Sequence, residues 1–201
     1  KEKFNLSNQQ YFEIFRNKEN LLEYKVLTSQ ERDDVIKSIL EKINLKDLRI
    51  SGENNNDVWE KGWGEILDSI RHGFSPEKIM PQYFDHHKIM RLDGKFIKEI
   101  SDNFVYKYDQ IIRKVVLKKY ASSKSKLVEL GCGTGSGTLL AALDLDENIN
   151  ITASDWAISS LPILKEISKF TCRDINAVQF NMLDLNGWDS LSIDEDTTVI
   201  S

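Results

Sequence analysis

Cysteine is scarce: Cys132 and Cys172 stand 40 positions apart with no C-x-x-C spacing, so the chain offers neither a disulfide framework nor a zinc site. Cations are the scarcer charge, 27 Lys and Arg against 32 Asp and Glu, and the formal charge of -5 disfavours a broad electrostatic footprint for DNA, RNA or an anionic membrane. No apolar stretch approaches the roughly 20 residues needed to cross a bilayer. The opening KEKFNLSNQQ lacks the apolar core of a signal peptide. These absences lead to the expectation of a reduced, cytoplasmic setting with no metal and no membrane, and with nucleic acid disfavoured as a partner. What is present, 40% hydrophobic and 29% charged residues in 201, suffices for one sizeable core with a smaller helical appendage.

Two regimes follow one another along the chain. Up to about Tyr120 the apolar residues recur at three and four, as in helices; from Lys126 onward short apolar runs alternate with helical ones, as in βαβ units. The seam falls in ASSKSK, 121 to 126, dividing a helical region over 1–121 from an α/β region over 122–201. Thr28 and Glu31 read as a capping box for a helix whose Val35, Ile36, Ile39, Leu40 and Ile43 share a face. SGENNND, 51 to 57, reads as a loop. The next helix has Trp59, Trp63, Ile66 and Ile70 on one side, and Ser75-Pro76 marks another helix start. From Ser101 to Tyr120 a stripe of Phe104, Tyr108, Ile111, Ile112, Val115 and Val116 reads as core. Arg113, Lys114, Lys118 and Lys119 read as that helix's solvated C-terminal end.

The second regime carries the chemistry. KLVEL, 126 to 130, reads as a buried parallel strand, followed by a loop with glycine at 131, 133, 135 and 137 and then a helix. Further strands are expected near 150–155 and 177–184, with a terminal run TTVIS, and a helix near SSLPILKEISKF. This alternation predicts a parallel sheet with ligand at the carboxyl ends of its strands. A dinucleotide fingerprint needs a third glycine where the chain has Ser136 or Thr138, and a P-loop needs a lysine where Thr138 follows Gly137, so both patterns fail. Asp155 ends the second strand 20 residues after Gly135, a place from which an acid accepts ribose hydroxyl hydrogen bonds. Trp156 stands beside it, ready to lie on a base.

The E-x-G-x-G-x-G run after a strand resembles the first motif of class I S-adenosylmethionine-dependent methyltransferases. That resemblance covers about residues 126–201. It implies a Rossmann-like parallel sheet over 122–201 that binds S-adenosylmethionine and releases S-adenosylhomocysteine, with 1–121 as an amino-terminal helical cap. Gly131, Cys132, Gly133 and Gly135 then form the cofactor loop, where a Cβ at Gly131 or Gly133 would hold the ligand's tail off the backbone. Glu129 would face the tail's ammonium. Asp155 would hold the ribose, Trp156 and Leu183 would border the adenine, and Asp184, ending the third strand, would hold the adenine amino group. WEKGWGEIL, RLDGKFI and ELGCGTG...SDWAISS look like a bacterial group of methyltransferases found near sugar-modifying enzymes, which implies a small hydroxylated or amino acceptor, sugar-like in character.

A complete domain of that family has seven strands, and this chain stops where the fourth is expected to end, so three strands are missing. A fragment, a deliberate truncation, a domain completed by a partner chain and a homo-oligomer are the open expectations. Methyl transfer asks little of side chains beyond alignment and proton removal. Asp85, His86 and His87 form the segment from which a base is available; adjacent histidines point apart and make a poor metal pair. Arg91, Lys95 and Lys98 read as a solvated face. Two other readings stand beside the methyltransferase: a non-catalytic cofactor-binding scaffold of the same fold, and an NAD-dependent oxidoreductase.

Overall fold

The structure is a computed structural model that describes residues 7, 22–45, 56–80, 88–184 and 187–201, with the backbone alone for 56–58. It is an α/β protein with two sheets among the described residues. The larger is parallel and four-stranded, with β4 (Lys126–Leu130), β5 (Asn150–Asp155), β6 (Ile175–Gln179) and β7 (Thr197–Ile200) in the spatial order β6-β5-β4-β7. β4 therefore lies inside the sheet, hydrogen-bonded in parallel to β5 through Leu127↔Ile151 and to β7 through Leu127↔Thr198. Its burial on both faces explains why KLVEL reads as a continuous apolar run. Among the described residues no helix is long and apolar enough to cross a membrane.

Two helices connect the parallel strands, α4 (Ser136–Asp144) and α5 (Ser160–Thr171). Among the described residues three more precede them: α1 (Ser29–Asn44), α2 (Asn56–Ile70) and α3 (Phe104–Val116), the last continuing through a π-helical turn to Ala121. The Thr28 capping box forms as the spacing predicts, with Glu31 N–H bonded to the Thr28 hydroxyl and the Glu31 carboxylate taking the Thr28 N–H. Lys25 and those bonds hold the Glu31 carboxyl down to about 2. The apolar face of α1 is not buried: Ile36, Ile39, Leu40 and Ile43 are 38–54% exposed.

The amino-terminal region is not purely helical. β1 (Tyr24–Val26), β2 (Ile89–Leu92) and β3 (Lys95–Glu99) form an antiparallel sheet in the order β1-β3-β2. A two-residue turn, Asp93-Gly94, joins β2 to β3 with both residues at positive φ, 48° and 76°, the backbone of the tightest hairpin. That Asp-Gly pair is the strand signal the helical reading passed over. Ser75-Pro76 likewise opens only one 3-10 turn, Pro76–Ile79. β6 ends at Gln179, so Asp184 does not end a strand. Asn56 and Asp57 belong to α2 rather than to a loop, while the rest of the expected loop, 51–55, lies outside the described residues.

One hydrophobic core runs across the 121/122 boundary. Ile66 and Ile70 of α2, Ile79, Leu117 and Ala121 belong to the same buried cluster as Leu127, Ile151 and the inner sides of α4 and α5. α2 and the end of α3 thus pack on α5 and α4 in a core shared with the parallel sheet, and a cavity on either side of the seam is felt by both. Ile79→Ala is expected to cost about 2–5 kcal/mol and to move one common urea transition, read alike by tryptophan fluorescence and far-UV circular dichroism. Two separated transitions, or a shift in only one signal, would contradict a shared core.

Candidate functional site

The carboxyl end of β4 feeds a loop in which Gly131, Gly133 and Gly135 all have positive φ, 65°, 55° and 77°. L side chains rarely adopt that conformation. At Gly133 space is limiting as well, because a Cβ would stand 3.2 Å from the Trp63 ring. The loop is pinned from the next strand. Asp155, the last residue of β5 and only 5% exposed, accepts the Gly133 N–H on Oδ2 at 2.7 Å and the Ala157 N–H on Oδ1 at 2.9 Å. Burial raises its carboxyl above the ordinary value, the two amide bonds pull it back, and the charge of Glu60 pushes it up again.

Glu129 is not among the residues that border the cleft. Its carboxylate, 3% exposed, accepts the Thr138 hydroxyl at 2.6 Å and the Arg113 Nη1 at 3.1 Å. Arg113 is not a solvated helix end. It holds Asp109 through Nε at 2.9 Å, reaches Glu129 on β4, and lines the cleft above the glycine loop. Gly137, in the first turn of α4, is needed for that contact, since a Cβ would run into the Glu129 carboxylate and come within 2.5 Å of the Arg113 guanidinium.

The cleft encloses about 280 Å³ and is walled by Trp59, Trp63 and Trp156, floored by the loop from Gly131 to Gly137, and bordered by Arg113, Asp155 and Met182. Trp59 and Trp63, four apart on α2, form a tilted pair with centroids 5.2 Å apart. Their helix is fixed over the loop by Glu60, whose carboxylate accepts the Ser159 N–H at 2.9 Å and whose carbonyl accepts the Ser159 hydroxyl at 3.1 Å. Thr134 lines the cleft too, 1% exposed, with no hydrogen-bond partner for its Oγ1. Buried hydroxyls are normally bonded.

Cys132 is buried beside the loop, its N–H bonded to Ser154 O at 2.9 Å. Burial and the nearby Glu129 and Asp155 charges push its thiol far up, which keeps it protonated and unreactive. Leu183, 82% exposed, and Asp184 do not line the cleft; Met182 takes the position expected of Leu183. Asp184 instead sits in the turn after β6, its N–H bonded to Asn181 O. Asp85, His86 and His87 lie outside the described residues.

A larger cavity, about 560 Å³, is bordered by Leu130, Trp188 and Val199 on the opposite side of the sheet. Its polar side chains are Asp189 and Ser192, and it meets the glycine loop's strand at Leu130, directly before Gly131. The smaller cleft is the better site, because there the charged groups, backbone donors and aromatic walls converge. No protein-family model matches the chain, and no curated protein is significantly similar to it.

Two substitutions test this construction. Alanine is ordinarily about 1 kcal/mol better than glycine inside a helix, yet Gly137→Ala is expected to destabilise by about 1–3 kcal/mol through overpacking; a raised midpoint in urea would show the Glu129 pocket to be roomier. The second concerns pH. Burial raises the Glu129 carboxyl above 4.5, against the Thr138 bond and the Arg113 charge. The folded state then holds the proton more tightly than the unfolded chain, so this contribution favours folding below 4.5 and is lost as pH rises through the raised value. Glu129→Gln, which does not ionise, should therefore gain stability relative to the native protein as pH rises above 4.5. A flat or declining difference would mean that Arg113 outweighs burial.

Proposed function

We propose that the chain is the S-adenosylmethionine site of a Rossmann-like methyltransferase acting on a small hydroxylated or amino acceptor. The observation that carries this reading is the charge set of the cleft. Among the described lining residues there is one cation, Arg113, and one anion, Asp155, with three indoles and no lysine. A pyrophosphate or triphosphate calls for more positive charge than that. A nucleoside bearing a zwitterionic tail matches it. The fit is supported by the orphaned Thr134 hydroxyl and by Asp155, whose carboxylate has capacity for two more donors after Gly133 and Ala157.

In this reading Asp155 accepts the ribose hydroxyls while it orders the loop. Trp156 stacks on the base, and Trp59 and Trp63 close the cleft from α2 and exclude water. S-adenosylmethionine supplies a methyl group already activated on a sulfonium, so the protein's task is to align the acceptor and take up its proton. No cleft residue is assigned as that base: Cys132 is held protonated, and Asp155 is committed to the loop.

Three of the four tryptophans border the cleft, which makes the reading directly testable. S-adenosylhomocysteine is expected to bind saturably in calorimetry and to change the intrinsic fluorescence, while NAD does neither. Asp155→Asn should weaken binding by about tenfold or more, the scale of a lost charge-assisted hydrogen bond. Saturable NAD binding would favour the oxidoreductase. Retained S-adenosylhomocysteine binding with no methyl transfer to any acceptor would favour a cofactor-binding scaffold.

A further inference from the structure

We infer that the first half of α2 is a lid on the cleft, latched by Glu60 to Ser159 and hinged at Gly62 and Gly64, and that it swings aside for the cofactor to enter and leave. This inference rests on the reading of the cleft as a nucleoside-cofactor site and adds how such a molecule reaches it.

The cleft is shut at the loop. The Trp63 ring lies so close over Gly133 that a Cβ there would stand 3.2 Å from it. A ligand atom needs about 3.5–4.0 Å from each of its neighbours. No layer of ligand therefore fits between the indole and the loop backbone at that point. The enclosed volume, about 280 Å³, is also small, below the roughly 300–1,000 Å³ of sites that hold molecules of this size. Trp59, one turn earlier, is tilted against Trp63 and shares the wall, so the obstruction belongs to α2 rather than to the sheet.

The helix can part at that place. Its second half is anchored, with Ile66 and Ile70 buried in the common core and Leu67 packed against it. From Trp59 to Glu65 no side chain is fully buried. Gly62 and Gly64 stand in this stretch on either side of Trp63. Neither has a positive φ, and a Cβ at either would meet nothing within 4 Å, so alanine would fit both places. Two interior glycines weaken a helix locally relative to alanine. Since neither backbone nor packing requires them, what they provide is a bend that releases the Trp63 ring from the loop.

Glu60 is the latch. Its carboxylate accepts the Ser159 N–H at 2.9 Å and its carbonyl accepts the Ser159 hydroxyl at 3.1 Å, so both bonds run from the lid to the residue that caps α5. Closure also brings the Glu60 charge towards Asp155. That like charge opposes closure over an empty cleft, and ribose hydroxyls donated to Asp155 offset it. A ligand of the proposed kind thus favours the shut lid by its own contacts.

The test follows S-adenosylhomocysteine association and dissociation on the whole chain by stopped-flow tryptophan fluorescence, with calorimetry for the affinity. Gly62→Ala combined with Gly64→Ala is expected to raise the urea midpoint and to slow both rates by about tenfold. The affinity should stay within about threefold, because the helix is intact in the empty and the occupied closed states and only the open state is penalised. Glu60→Ala, which releases the latch, should instead speed dissociation by about tenfold. A raised midpoint with native rates in the alanine variant, or a native dissociation rate in Glu60→Ala, overturns the lid while leaving the cofactor reading in place. Absence of S-adenosylhomocysteine binding overturns both.

Discussion

The arrangement depends on one buried carboxylate. Glu129 sits near the end of an interior strand, where burial penalises its charge, and it is tolerated because Arg113 from α3 and Thr138 from α4 both meet it. Three elements thereby acquire a common point of reference. α4 begins where its first turn lets Gly137 pass the carboxylate, and α3 sits at the distance one arginine spans. Such a pair is a poor source of net stability, since apolar residues of similar volume often do as well. Its value here is positional: it brings a guanidinium to the wall of a cleft and keeps it there.

A second carboxylate does the corresponding work on the other side of the loop. Asp155 takes one amide bond from Gly133, 22 residues earlier and before α4, and one from Ala157, and so ties the glycine loop to β5. Glu60 then ties α2 to the start of α5 and brings two indoles over the same loop. The consequence is that residues before the seam help to form the site, as the shared core already implies. A cleft made jointly by the amino-terminal helices and the sheet cannot be assigned to residues 122–201 alone.

The parts of this that were legible in the sequence are local ones. β4 and β5 fall at the expected residues because a parallel interior strand writes itself as an apolar run, and Asp155 was placed by its position at a strand end. The glycine spacing located the loop. β6 was set too late, since Phe180 and Met182 continue its apolar alternation although the ladder strand stops at Gln179; Phe180 N–H still bonds to Asp155 O before the chain turns. That shift carried Leu183 and Asp184 to places the cleft does not reach. Arg113 was misread for a different reason. It falls between Ile111 and Val115, off the buried stripe, so helical periodicity assigns it to solvent, and only the fold brings Glu129 beside it. Gly62 and Gly64 on α2 have no account in packing, as a Cβ at either would meet nothing within 4 Å.

The energetic character of the site follows from these placements. Both Glu129 and Asp155 have carboxyls raised by burial, so each favours its neutral form more than it would in water and each reduces stability at neutral pH relative to an unburied acid. Thr134 adds an unmet hydroxyl. A fold optimised only for stability would remove all three, for instance by filling the cleft with apolar side chains. Their presence at one loop, around a guanidinium oriented from two sides, is the pattern of a surface prepared for a ligand, because a molecule that supplies the missing partners stabilises the folded state in proportion to its occupancy. The strain falls on polar groups at the loop and its cleft rather than on the packing beneath, where Leu127, Ile151 and Ile163 are fully enclosed. The packed sheet beneath it supports the loop in its left-handed backbone.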